Sequence, residues 1–477
     1  MASKKETQLL VIGAGPGGYA AAFLAADLGM QVTLVDPEEN PGGVCLYRGC
    51  IPSKALLHVA HLLNETRRAA QYGIDFGEPS IDLDRLREWK EKVVSQLTGG
   101  LGQLSSRRKI EHIRGLARFE DSHTVSIAVA GGESVALTFE HAILATGSRP
   151  VAVPGLGAAG PRILDSTGAL RLDNLPGKLL VVGGGYIGLE LGCVYAALGS
   201  EVSVVEMLPG LLAGADKDLV RVLKKRLDER FATIWTDTRV VSVKDHENGA
   251  KVVLEGKGDD ISEHLFDRVL VSVGRRPNSD ALGLENTRVE VDDQGFVKTD
   301  ARMQTAENSI YAIGDLAGQP MLAHKASHEG RVAVEVIAGH KAAFEPRAIP
   351  AVIYTDPEIA WCGLTEGEAK SRNVSHQTVR FPWAASGRAL TQDCADGMTK
   401  LIIDPDTEQV LGMGIVGNGA GELIAEGVLA IEMAALASDI KMSIHPHPTL
   451  SETIMEAAEV FFGQSTHVHR PLKKKNR

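Results

Sequence analysis

The chain is 477 residues long, 44% apolar and 23% charged, and carries a formal net charge of -11. Its length exceeds what one hydrophobic core supports and predicts two to four domains of an ordinary globular composition. The acidic balance argues against nucleic acid and for small-molecule chemistry or a basic protein partner, and no apolar run is long enough to span a membrane.

In chain order, residues 8–12 read as a buried strand, so close to the first residue that no signal or transit peptide is expected and a cytoplasmic location follows. Gly13-Ala-Gly-Pro-Gly-Gly18 comes next, then a helix predicted over 19–28 and a second strand over 31–35 that ends at Asp36. Residues 42–54, Gly-Gly-Val-Cys-Leu-Tyr-Arg-Gly-Cys-Ile-Pro-Ser-Lys, lead into another helix. Alternating runs over 124–130 and 134–139 predict strands, closing on the segment 142–147. The first pattern then returns: a strand over 178–182, Gly183-Gly-Gly-Tyr-Ile-Gly188, a helix to about 198, and a strand over 201–205 that ends at Glu206. Residues 235–275 repeat the alternation and end in the run 269–274. The last 130 residues mix strands, such as 399–403, with helices predicted over 420–436 and 449–462, and read as a separate α+β domain. Basic clusters at 107–109 and 221–230 are expected to be solvated faces, and the tail 473–477 disordered and solubilising.

Both glycine motifs follow a strand, open a helix and precede an acid that lies 18 residues beyond the last glycine. One such motif is weak evidence; two in the same context predict two dinucleotide sites. Gly13 and Gly183 permit the sharp turn, and Gly15 and Gly185 let backbone N–H groups approach a pyrophosphate. Gly18 and Gly188 let the helix pack closely, with its N-terminus toward the phosphate charge. Asp36 and Glu206 then accept hydrogen bonds from ribose hydroxyls. A carboxylate at 206 would repel a 2′-phosphate, and Met207, Leu208 and Pro209 bring no basic residue, so NAD is favoured over NADP.

The five cysteines, Cys45, Cys50, Cys193, Cys362 and Cys394, form no structural disulfide framework. Cys193 lies in an apolar helical stretch and reads as a small core residue, and Cys362 and Cys394 lack metal-ligand spacing. Cys45 and Cys50 differ. With four residues between them and Pro52 following, they are placed at a helix N-terminus, where the dipole and free N–H groups favour a thiolate. A dinucleotide motif ending 27 residues before Cys45 favours a redox pair over two unrelated buried thiols.

Together these segments resemble the pyridine nucleotide-disulfide oxidoreductases, and within them the dihydrolipoyl dehydrogenases, over essentially the whole chain. The resemblance is carried by 13–18, 42–54, Ala145-Thr-Gly147 and 183–188 with Glu190. It continues through Val273-Gly-Arg-Arg-Pro-Asn278, Ala312-Ile-Gly-Asp-Leu316, Met321-Leu-Ala-His324 and His447-Pro-Thr-Leu-Ser-Glu452. It implies an α/β chain of two Rossmann-like dinucleotide-binding domains, one for FAD and one for NAD, plus a C-terminal α+β dimerisation domain. The expected divisions are 1–152 (FAD domain, first segment), 153–275 (NAD domain), 276–346 (FAD and central domain, second segment) and 347–477 (dimerisation domain).

The resemblance also implies roles. FAD would be held by Gly13, Gly15, Gly18, Asp36, Lys54, Thr146, Gly147, Gly314, Asp315 and Ala323. NAD would be held by Gly183, Gly185, Gly188, Glu190, Glu206 and Gly274, and no metal is expected. Cys45 would exchange disulfides with substrate, Cys50 would be the charge-transfer thiolate beside the flavin, and Lys54 and Glu190 would pair near flavin N5. His447, held by Glu452, would be the general acid/base, since imidazole titrates near neutrality. His447 and Glu452 of one subunit would face Cys45 of the other. The implied activity is NAD-dependent reoxidation of dihydrolipoamide by a homodimer without nucleic-acid or membrane partners. The implied protein partner is a lipoyl-bearing acyltransferase of a 2-oxo acid dehydrogenase complex, or a glycine-cleavage carrier.

Two positions depart from the commonest pattern: Tyr47 replaces an Asn, and Tyr186 replaces an aliphatic residue and resembles the nicotinamide gate of glutathione reductases. His445 and His467 have no motif to support them and read as surface histidines. A glutathione reductase would want basic residues near Glu206, and a mercuric reductase a C-terminal cysteine pair. An assembly protein of the same fold would have no need of Cys45, Cys50, His447 and Glu452 together.

Overall fold

A computed structural model describes residues 5–130, 132–151, 153, 162–258 and 260–469. The expected division at 152 and the basic tail at 473–477 fall outside the described residues. Among the described residues no helix is long and apolar enough to cross a membrane.

The first sheet grows from strand Lys5–Ile12, in which Leu9, Leu10 and Val11 are all fully buried. A strand covered on both faces reads as an unbroken apolar run, and this one lies parallel to Val32–Asp36 on one side and Ser134–Leu144 on the other. Strand Ser134–Leu144 is longer than the alternation over 134–139 predicts, because it has three partners. Its first residues pair antiparallel with Thr124–Val129, while residues 137–144 run parallel to the first strand. Strand Ile310–Ala312, from far along the chain, completes the sheet beside residues 142–144.

The second sheet repeats the plan with five parallel strands in the order Thr233–Trp235, Glu201–Val205, Lys178–Val182, Arg268–Val271 and Ile163–Leu164. Beside it lies an antiparallel meander, Arg239–His246, Gly249–Glu255 and Ile261–Phe266. The C-terminal region is an antiparallel five-stranded sheet, from Ala351–Ile353 to Gln377–Pro382. Helices Ala420–Glu432 and Glu452–Phe462 cover it; the first ends at 432 rather than the expected 436, and a short helix, Ala437–Met442, follows it.

Helix Cys50–Arg68 sits where all three regions meet. Its Leu56, Leu57 and Ala60 share one core with Leu189 and Cys193 of the second glycine-motif helix and with Ile353 and Ile359 of the C-terminal sheet. A second junction is ionic. Lys400, on the C-terminal sheet with its side chain 1% exposed, reaches Asp216 at 2.6 Å and Asp218 at 2.7 Å beside helix Lys217–Arg230. Arg380 also bridges Asp218 and Glu366, both at 2.6 Å. These contacts join the second sheet's domain to the third.

Candidate active site

The two glycine turns are built alike. Gly13 and Gly183 have φ of +100° and +105°, a left-handed conformation that a side chain disfavours. A Cβ on Gly18 would stand 1.8 Å from the Gly13 carbonyl oxygen, and one on Gly188 would stand 2.5 Å from that of Gly183. These four glycines are therefore required by the turn and by helix packing. The middle glycines are different. A Cβ on Gly15 would meet nothing nearer than the Gly43 Cα at 4.0 Å, and one on Gly185 would meet nothing within 4 Å. Each is the N-cap of its helix, Pro16–Asp27 or Tyr186–Leu198, so the space left open faces free backbone N–H groups. Such a cradle fits a pyrophosphate.

The distal acids have a structural duty that the sequence reading did not assign. Asp36 accepts from the Ala14 N–H at 2.7 Å and the Glu38 N–H at 2.9 Å. Glu206 accepts from the Gly184 and Leu208 N–H groups, both at 2.7 Å. Each carboxylate thus pins its own turn, and each oxygen keeps a further lone pair for a ribose hydroxyl.

A cavity of about 530 Å³, within the range of small-molecule sites, opens over the first turn. Gly13, Gly15, Asp36, Lys54, Thr146, Gly147, Gly314, Asp315 and Ala323 line it, together with Cys45 and Cys50. Gly18 lies behind the turn. Of the residues grouped with NAD, only Glu190 reaches this cavity; Gly183, Gly185, Gly188, Glu206 and Gly274 lie outside it. Glu190 therefore stands apart from its expected group, because its helix points that side chain inward.

The cysteines are not both at a helix start. Cys50 opens helix Cys50–Arg68, while Cys45 lies inside the short preceding helix Gly43–Arg48. The two free thiols interact. Their hydrogen bond and the charge of Lys54, opposed by burial, lower the Cys50 pKa to about 7, while the same hydrogen bond and burial push Cys45 up. Cys50 is thus the sulfur poised as thiolate. Lys54, one turn along, donates to Glu190 at 2.8 Å. Glu190, with its side chain 3% exposed, also accepts from Ser53 Oγ at 3.2 Å and from the Tyr354 N–H at 2.9 Å. Tyr47 ties its helix to the preceding loop, its hydroxyl donating to the Asn40 carbonyl at 3.0 Å, and Tyr186 lines the cavity.

His447 Nδ1 meets Glu452 Oε1 at 2.9 Å, and the Thr449 N–H donates to the other oxygen at 2.8 Å. Burial raises the Glu452 pKa, but these hydrogen bonds outweigh it and leave the carboxyl below its ordinary range. The His447 side chain is 74% exposed and absent from the cavity that holds the thiols. One chain therefore forms the dyad without bringing it to its own cysteines.

Several partners escaped the sequence reading. His445 pairs with Glu426 at 2.9 Å, and His467 pairs with Glu456, so both histidines have carboxylate partners. Ser148 Oγ donates to Asp315 at 2.5 Å and accepts from Arg275 at 2.7 Å. Beneath Gly314, buried Glu329 accepts the Gly314 N–H at 2.7 Å and pairs with buried Lys325 at 2.7 Å. The i,i+4 spacing of that last pair was a readable signal.

A thiol pair on a cavity over one glycine turn, backed by the Lys54 ammonium on the buried Glu190 carboxylate and joined to a second such turn, is the equipment of a disulfide oxidoreductase. Residues 7–330 match the family model described as pyridine nucleotide-disulphide oxidoreductase, and residues 349–458 match the model of its dimerisation domain. The chain belongs to the pyridine nucleotide-disulphide oxidoreductases, and FAD and NAD are its cofactors. It is 48% identical over 477 residues, all of both chains, to a curated relative named dihydrolipoyl dehydrogenase from Vibrio cholerae. A relative of the same name from Haemophilus influenzae is 50% identical over 466 residues, covering 98% of this chain and 97% of that one. Among solved structures, LpdA from Mycobacterium tuberculosis superposes with a TM-score of 0.88 at 28% identity, covering 95% of this chain and 99% of that one.

Proposed function

We propose that this chain reoxidises protein-bound dihydrolipoamide to lipoamide with reduction of NAD, through a redox disulfide between Cys45 and Cys50. The observation that carries this reading is the placing of both thiols on the cavity beside the Lys54–Glu190 pair. In the oxidised enzyme the two sulfurs form the disulfide. His447 Nε2, with Nδ1 held by Glu452, takes a proton from one substrate thiol. The resulting thiolate attacks Cys45, the Cys45–Cys50 bond breaks, and Cys50 leaves as a thiolate stabilised by Lys54. The second substrate thiol then attacks the mixed disulfide and frees lipoamide, as His447 passes the first proton to the Cys45 sulfur and accepts the proton of the second thiol. FAD, held by the first glycine turn and Asp36, would supply the two-electron chemistry that links the dithiol to NAD.

Within this reading Gly13, Gly15, Gly18, Asp36, Lys54, Thr146, Gly147, Gly314, Asp315 and Ala323 serve FAD, and the second turn with Glu206 and Gly274 serves NAD. The domain divisions proposed with this reading lie at 152, 275 and 346. A homodimer completes two equivalent sites, His447 of one chain serving Cys45 of the other. The protein partner is a lipoyl-bearing acyltransferase of a 2-oxo acid dehydrogenase complex, in the cytoplasm. Lipoamide and glutathione disulfide should be assayed in parallel with NADH and NADPH. The expected result is turnover of lipoamide with NADH alone; glutathione turnover with NADPH would overturn the reading.

A further inference from the structure

Lys54 faces two cavities. One holds the thiols; the other, of about 310 Å³, is lined by Lys54, His58, His61, Tyr354, Asp356 and Glu358, among others. Within the second cavity Asp356 is already engaged by Arg230 at 2.7 Å. Among the described residues, Glu358 on this cavity accepts one side-chain hydrogen bond, from the Gly421 N–H at 2.9 Å. Tyr354, just beyond strand Ala351–Ile353 of the C-terminal sheet, lines the same cavity. Its ring centroid lies 4.6 Å from Lys54 Nζ, and its N–H donates to Glu190 at 2.9 Å. One residue of the third region thus holds both members of the ion pair, which themselves come from the other two.

We infer that Tyr354 is a positioning residue whose ring and backbone N–H together hold the Lys54 ammonium and Glu190 in place beside Cys50. The ring's negative face attracts the cation, and the N–H fixes the carboxylate that the cation meets. A further consequence is that docking of the C-terminal region sets the charge beside the redox sulfur. The inference rests on the proposed assignment of Cys50 as the charge-transfer thiolate. Cys45, Lys54 and Glu190 act on Cys50, Tyr186 and Tyr19 sense its charge, and Arg48, Arg275 and Asp315 line the same cavity. Lys54 is the cation that lowers the Cys50 pKa, so its displacement would remove that support from the thiolate.

The test uses the Cys45→Ser holoenzyme, in which Cys50 is the only thiol of the pair, and follows long-wavelength charge-transfer absorbance with pH. Tyr354→Phe and Tyr354→Trp keep an aromatic face; Tyr354→Leu removes it while leaving the backbone donor to Glu190. The midpoint should stay at or below the parent value with Phe and Trp. With Leu it should rise by about half a pH unit, the equivalent of a cation–π contact of roughly 0.7 kcal/mol. The pH dependence of Cys50 alkylation in the same proteins gives the same ordering without requiring flavin contact. A tyrosine with only a packing role would lower the melting temperature of the Leu variant and leave the midpoint where it was. That result, or a Phe variant shifted as far as Leu, overturns the inference. Absence of lipoamide turnover in the wild-type enzyme would instead strike the proposed function, and the ordering of midpoints would still decide the role of Tyr354.

Discussion

At the Cys50 sulfur, a hydrogen bond from Cys45 and the Lys54 charge favour the thiolate, and burial opposes it. The net shift is downward, to about 7, so the thiolate is present above that pH and is lost as pH falls through it. Cys45, shifted upward by the same hydrogen bond and by burial, stays protonated across the range. The two sulfurs should therefore respond differently to replacement. Cys45→Ser should lose lipoamide turnover yet keep the charge-transfer band of Cys50 with oxidised flavin. Cys50→Ser should lose both. In reduced wild-type enzyme the band should fall to half near pH 7. A band that survives in Cys50→Ser and vanishes in Cys45→Ser would reverse the assignment.

Among elements, the junction between helix Lys217–Arg230 and the C-terminal sheet depends on one buried ammonium. Lys400 meets Asp216 and Asp218, and Arg380 shares Asp218 with Glu366. Removing one partner of such a buried network leaves charges without compensation and typically costs about 3 kcal/mol or more. Lys400→Met should lower the denaturant midpoint accordingly while leaving the cysteine cavity intact; an unchanged midpoint would show that the junction carries no stability. The acid limb follows from the same contacts. Burial raises the pKa values of Asp218 and Glu366, but their cationic partners outweigh it and both end below the ordinary range. Their contribution is therefore full above about pH 4.5 and is lost as pH falls through the lower folded values.

This junction also marks what the sequence could not disclose. The repeated strand–glycine turn–helix units were legible because their periodicity and spacing are local, as were the ends of strands Lys178–Val182 and Glu201–Val205. Helix Pro16–Asp27 began three residues early because Pro16 and the glycines belong to its first turn, where proline's fixed φ is tolerated. Lys400, Tyr354 and the second partners of Asp36 and Glu206 were hidden, since each contact joins residues that only the tertiary fold brings together. The Cys45–Cys50 motif was readable, but its short first helix was not, because six residues are too few to show a period.

At the scale of the whole molecule, a chain that builds a thiol cavity and an acid/base dyad keeps them apart. Cys45 and Cys50 line the cavity at the meeting point of three regions, while His447 projects from the C-terminal region with its side chain 74% exposed. The residues 349–458 that precede and include the dyad match a dimerisation domain, which supplies the means to bring a second chain's His447 to the thiols. On the proposed reading, a symmetric dimer has two composite sites, each drawing its cysteines from one chain and its base from the other. The decisive measurement is complementation between two dead variants, Cys45→Ser and His447→Ala, co-expressed with different tags and purified as the doubly tagged dimer. In such a dimer one site combines both defects and the other has neither. Lipoamide reduction by NADH should recover to about half the wild-type rate per dimer, one working site of two; a mixed dimer as inactive as its parents would mean that each chain completes its own site.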